Sequence, residues 1–141
     1  MKRIGTVVIC LLMMVLMANK CKKDEEAVKE ASQTVLEQIY AKEWYHSRQE
    51  DKDGIQTYRD KSYKFPPSRG GLQGFKLAKD GTFWEYGQGP ADRPTTTEGT
   101  WKMTEGKDGI EVKLTKNGSE MSYTLEFISL EDNVLKLKRM N

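Results

Sequence analysis

Cysteine is almost missing from this sequence. The 141 residues hold two, Cys10 and Cys21, and none follows Cys21. The body of the chain therefore has no disulfide framework, no thiol nucleophile and no cysteine-ligated metal site. Histidine is equally scarce: the single His46 cannot build a structural zinc site by itself. No Gly-x-Ser-x-Gly, His-Glu-x-x-His or glycine-rich phosphate loop occurs. The chain reads as non-catalytic and calls for no cofactor. Charge of one sign is lacking too. The net charge is +2, and without Lys2, Arg3 and Lys20 the balance is 20 basic residues against 21 acidic. No basic stripe stands out, so no nucleic-acid partner is expected. No apolar run reaches the ~20 residues that span a bilayer. Proline is confined to two short stretches, Pro66-Pro67 and Pro90 to Pro94.

The N-terminus is the clearest segment. Lys2 and Arg3 precede the apolar run TVVICLLMMVLM, Thr6 to Met17, whose length suits the ~7–15-residue core of a signal peptide. Then come Ala18-Asn19-Lys20-Cys21 and the polar sequence KKDEE. A cysteine just after an apolar run resembles a bacterial lipoprotein signal, with Lys20 standing where that pattern has a small residue. "CKKDEE" is similar to the lysine-then-acidic tag of lipoproteins that some Gram-negative bacteria send to the cell surface. The resemblance implies a signal peptide over 1–20 and acylation at Cys21. It also implies a lipid-anchored place in the Gram-negative envelope, at the outer membrane or cell surface, with the membrane itself as a partner.

Residues 24–38 (DEEAVKEASQTVLEQ) lack Gly and Pro and are led by acidic residues. This predicts an amphipathic helix, so residues 21–38 form a lipidated tether and helix. From Lys42 onward the apolar period changes to two. Ile110, Val112 and Leu114 alternate with polar neighbours, as do Met121, Tyr123, Leu125 and Phe127, and Leu135 and Leu137. Each run reads as a strand with one apolar and one wet face. Asp53-Gly54, Asp80-Gly81, Asp108-Gly109 and Asn117-Gly118 mark turns. About eight strands are expected, near 42–50, 54–60, 72–79, 82–87, 97–104, 109–116, 120–128 and 133–139. Successive hairpins predict a mainly β fold, an antiparallel meander closing into a barrel over residues 39–141, since closure removes exposed edges. A β-sandwich of the same strands is the alternative.

Trp44, "DGTF" at Asp80 to Phe83, "EGTW" at Glu98 to Trp101 and "NVLKLK" at Asn133 to Lys138 together resemble the small bacterial lipocalin-like domains, from about Ile39 to the C-terminus. Where that family pattern has Gly-x-Trp, this chain reads Lys42-Glu43-Trp44. The resemblance implies a barrel capped at one end by the preceding helix and a small, mainly apolar ligand in the cup. A monomer is the expectation.

Candidate contacts follow from strand period. If Trp44 faces inward, His46, Arg48 and Glu50 share its face and could read the polar end of a ligand. A bulge turning them outward, with Tyr45 packing instead, is the alternative. Trp44, His46, Arg48, Arg69 and Tyr123 form the candidate ligand-binding set. Trp84, next to Phe83, must face away from the core. It marks a contact surface or is covered by a neighbouring element. Two links break the hairpin pattern: Phe65 to Gly71, and Gly87 to Pro94 with Asp92 and Arg93. They offer rim contacts, or pin each other through Arg69 with Asp92 or Arg93 with Asp60. A protein-interaction module with a filled interior is the competing function. The lipidation reading predicts that Cys21→Ser releases the protein from membranes and abolishes incorporation of labelled palmitate. Retention of the variant in the membrane fraction contradicts it.

Overall fold

Phe75 and Leu77, Phe83, Ile110, Val112 and Leu114, and Leu135 and Leu137 are apolar residues at every second position, and all are buried. Strands with one apolar face must turn that face toward each other, and here they do so by closing into a ring. The computed structural model describes residues 34–40, 42–106 and 108–141. Within these a helix, α1 (residues 34–40), precedes eight strands. These are β1 (Trp44–His46), β2 (Ile55–Asp60), β3 (Gly74–Leu77) and β4 (Thr82–Gln88), then β5 (Pro94–Met103), β6 (Gly109–Lys116), β7 (Ser119–Glu131) and β8 (Val134–Met140). They form a closed antiparallel barrel in the order β1-β2-β8-β7-β6-β5-β4-β3. The expected signal peptide, Cys21 and most of the expected helix over 24–38 lie outside the described residues. The described helical segment runs to residue 40, past the expected end at 38.

The expected meander holds from β3 to β8, where each strand pairs with the next. It fails at the start. β1 pairs with both β2 and β3, and β2 closes the ring against β8. Since β1 is antiparallel to both neighbours, β2 and β3 run the same way. The link between them must therefore travel from one end of the barrel to the other, outside β1. Its sequence suits that path. Phe65 packs edge-on against Tyr45, which points outward from β1, at 6.0 Å between centroids, and Tyr63 packs on Phe65 at 4.9 Å. Pro66 and Pro67 offer no N–H to a ladder, and Gly70 and Gly71 turn the chain with φ of 80° and 86°, a region open mainly to glycine.

β1 is three residues long, not the nine expected over 42–50, because Arg48–Glu50 coil into a 3-10 turn. That turn is held by the Ser47 N–H donating to the Thr57 carbonyl and the Thr57 hydroxyl donating to the Glu50 carbonyl. The second proline-containing link is a hairpin after all. β4 and β5 stay paired up to Gln88 and Pro94, with Pro94 as the first strand residue, a place that needs no ladder N–H.

One end of the barrel is sealed. Leu36 and Ile39 of α1 are buried, Tyr40 packs against Trp101 at 5.7 Å, and the Trp44 indole N–H donates to the Ile39 carbonyl at 3.1 Å. The Trp101 indole N–H donates to the Ala78 carbonyl at 2.9 Å.

Gly74 marks where β1 and β3 come closest: a Cβ there would lie 2.0 Å from the Trp44 carbonyl oxygen. Gly74→Ala is expected to destabilise the fold by about 1–3 kcal/mol, the range for forced overpacking, read as a lower urea midpoint. An unchanged midpoint would show that β1 and β3 are not held at this distance.

Candidate functional site

At the end of the barrel away from α1, the inward-facing residues change character together. Continuing the alternation past each apolar position, Trp44 is followed by His46 and Phe83 by Glu85. Leu114 is followed by Lys116 and Leu137 by Arg139, while Tyr58 and Phe75 are preceded by Gln56 and Gln73. The result is an open cup of about 530 Å³ lined by these polar side chains with Arg48, Asp51 and Gln88 at its mouth.

The floor of the cup is a chain of rings across the barrel. His46 stacks on Tyr58 at 5.0 Å, Tyr58 meets Phe75 edge-on at 5.1 Å, Phe75 stacks on Phe83 at 5.8 Å, and Phe83 meets Tyr123 edge-on at 6.4 Å. Contacts of this kind contribute roughly 0.5–1.5 kcal/mol each beyond area burial. They separate a dry aliphatic half from a polar one. Phe75, Phe83 and Leu125 have 3%, 1% and 3% of their surface exposed, so the cup offers little free apolar area.

Charges inside the cup are largely matched. Glu85 accepts from the Lys116 ammonium at 3.2 Å and from the Tyr123 hydroxyl at 3.2 Å. His46 Nε2 meets the Asp51 carboxylate at 2.9 Å, and Asp51 also accepts from the Thr57 backbone N–H at 2.9 Å. The two guanidiniums are held differently. Arg48 donates to the Gln73 side-chain oxygen, and Arg139 lies over the Tyr123 ring at 3.7 Å from its centroid.

Both floor phenols hold their protons tightly. Burial pushes Tyr58 up to about 12, with Asp51 and Glu85 adding to the rise and Arg139 and Arg48 opposing it. Tyr123 is raised by burial first and by Glu85 second.

The residues singled out in the sequence are distributed unevenly. His46, Arg48 and Tyr123 meet in the cup. The bulge that would have turned His46 outward is absent. Tyr45 does pack outside, stacked on Tyr86 at 5.7 Å, but His46 points inward on the same strand. Trp44 does not reach the cup. It is wholly buried at the sealed end. Arg69 is exposed and lines an adjoining groove of about 300 Å³, formed by the link and the 3-10 turn, which shares His46, Arg48, Gln73 and Gln88 with the cup. Trp84 is on the outer face, half-buried, with the Lys76 ammonium 5.9 Å from its ring centroid. Arg93 is exposed at the β4–β5 tip.

Neither expected loop–loop ion pair forms. Asp92 accepts from the Gln88 side-chain amide instead of Arg69. Asp60 faces Lys42 at 3.5 Å, at the opposite end of the barrel from Arg93. Gln56, Gln73, Glu85, Lys116 and Arg139 were missed because inward positions were sought as apolar. Counting by twos past the last apolar residue would have found them. Among the described residues no three His, Cys, Asp or Glu side chains gather to hold a metal ion.

A phenol with a raised folded value stabilises the fold below its unfolded value of about 10, and that contribution is lost as the pH rises through the folded value. Absorbance titration at 295 nm is expected to show a class of tyrosines ionising near pH 12, accompanied by falling stability above pH 10. Tyr58→Phe is expected to remove one phenol from this late class, leaving Tyr45 and Tyr123, which burial also raises. Complete tyrosine ionisation near pH 10 in the folded protein contradicts the buried floor.

No family model, no curated protein and no solved structure matches this chain.

Proposed function

We propose that this protein is a non-catalytic, lipid-anchored envelope protein that holds a small molecule in the open end of a lipocalin-like barrel. The observation that carries the reading is the cup. The apolar residues that could fill a barrel from end to end instead stop at the aromatic floor, and five strands then turn polar groups inward, joined by Gln73 just ahead of β3. A barrel serving only as a scaffold or as an interaction module has no need of such a cup. Its size falls within the ~300–1,000 Å³ range of small-molecule sites. The ordered polar walls would fix a ligand's orientation, while the sealed end holds the shape.

The ligand suited to this cup is more polar than the mainly apolar molecule that the sequence suggested. The floor rings spend most of their area on one another, so the groups left for a ligand are amides, phenols and charges. Arg69, outside the cup, would act on access rather than on the bound molecule. The membrane anchor at Cys21 and a place at the outer membrane or cell surface belong to the same proposal and rest on the N-terminal sequence. The monomer reading accords with the closed barrel, which offers no free sheet edge for pairing.

Native mass spectrometry of the domain purified from its own host tests the reading. A co-purifying small molecule is expected, lost when Phe83→Trp crowds the floor. A domain that carries no adduct at high occupancy argues against a ligand carrier.

A further inference from the structure

Building on that reading, we propose that the ligand is a small hydroxylated molecule bearing one oxyanion group, a carboxylate or a phosphate, and that Arg48 and Arg139 receive this group at the mouth of the cup. Two features of the cup support the class. The first is the charge left over once internal pairs are made. Glu85 is matched by Lys116 and Asp51 by His46. Arg48 and Arg139 have a neutral amide and an aromatic ring as partners, and no carboxylate among the described residues. They arrive from different parts of the fold, the 3-10 turn after β1 and the end of β8, yet both line the same opening. Both also act electrostatically on the Tyr58 phenol in the floor. A guanidinium fixed by a neutral partner keeps its full charge and its fork of donors, which matches the planar edge of a carboxylate or phosphate.

The second feature is the nature of the remaining lining. Gln56, Gln73 and Gln88 carry amides that both donate and accept, and the phenols of Tyr58 and Tyr123 do likewise. Such a set pairs with hydroxyl groups, which also donate and accept. Each has one partner within the protein, Tyr58 donating to Gln56, Tyr123 to Glu85, Arg48 to Gln73 and Gln88 to Asp92, and keeps further donor or acceptor capacity that an alkyl chain would cover without pairing. Arg139 was not among the residues expected from the sequence. It is reached only by following β8 inward through Leu135 and Leu137 to its polar end.

Isothermal titration of the wild-type domain with D-glucuronate, D-glucose 6-phosphate, D-glucose and decanoate tests the inference. At least one of the two hydroxylated anions is expected to bind, glucose and decanoate much more weakly, and added salt to weaken the anion. Which anion binds tells carboxylate from phosphate. Arg48→Gln and Arg139→Gln are each expected to lower anion affinity by roughly tenfold or more. Arg139→Lys, which keeps the charge and loses the fork, is expected to recover part of it. The wild-type comparison stands even if a variant folds poorly. Glucose binding as tightly as the anions overturns the oxyanion assignment, and decanoate binding in their place overturns the hydroxylated body. In both cases the cup remains a ligand site. Binding of none of the four overturns the inference, and the co-purified adduct then decides separately whether the cup holds a ligand at all.

Discussion

Closure of this barrel depends on β1, a strand of three residues that bridges β2 and β3. Each residue serves a different part of the molecule. Trp44 points inward at the sealed end and takes the Ile39 carbonyl of α1. Tyr45 points outward and receives Phe65 of the crossing link. His46 points inward again, stacks on Tyr58 and meets Asp51 at the open end. Strand alternation alone produces this division. A one-residue slip of β1 would expose Trp44, bury Tyr45 and turn His46 away from the cup at the same time.

The second organising feature is a level within the barrel. Below it the inward residues are aliphatic and aromatic, packed against α1. Above it they are amides and charges. The rings from His46 to Tyr123 lie at the boundary. A buried charge must be paired or wet, which explains why Glu85, on the inner face, has both Lys116 and Tyr123 as partners. Arg48 and Arg139 sit higher, where solvent reaches them, and can remain without a carboxylate.

Much of the barrel was legible in the sequence because its signals are local. The period-two runs and Asp-Gly or Asn-Gly turns placed β6 at Gly109–Lys116 with no error, and β3 to β8 follow as hairpins. What was not legible depended on distant partners. Nothing within residues 42–50 indicates that the strand ends at His46, since the 3-10 turn that ends it is held by Thr57 of β2. The insertion of β1 between β2 and β3 is likewise a tertiary choice, hinted at only by the prolines and glycines of the long link. In the site, His46 and Tyr123 were within reach of strand period, whereas Arg48 lines the cup from the 3-10 turn that ends β1. Trp44 was assigned to the ligand although its size and position suited the core, and Arg139 escaped notice as one more charge near the C-terminus.

One end of the barrel is sealed through Trp44 while the outer face stays accessible. The three tryptophans report on it directly by hydrogen exchange at their indole N–H groups. Trp44 and Trp101 donate to carbonyls, whereas Trp84 lies on the outside with no acceptor for its indole N–H among the described residues. The Trp44 indole is expected to exchange only through global unfolding, as slowly as the most protected amides of β6, while Trp84 exchanges fast. Exchange of Trp44 as fast as Trp84 would contradict the seal.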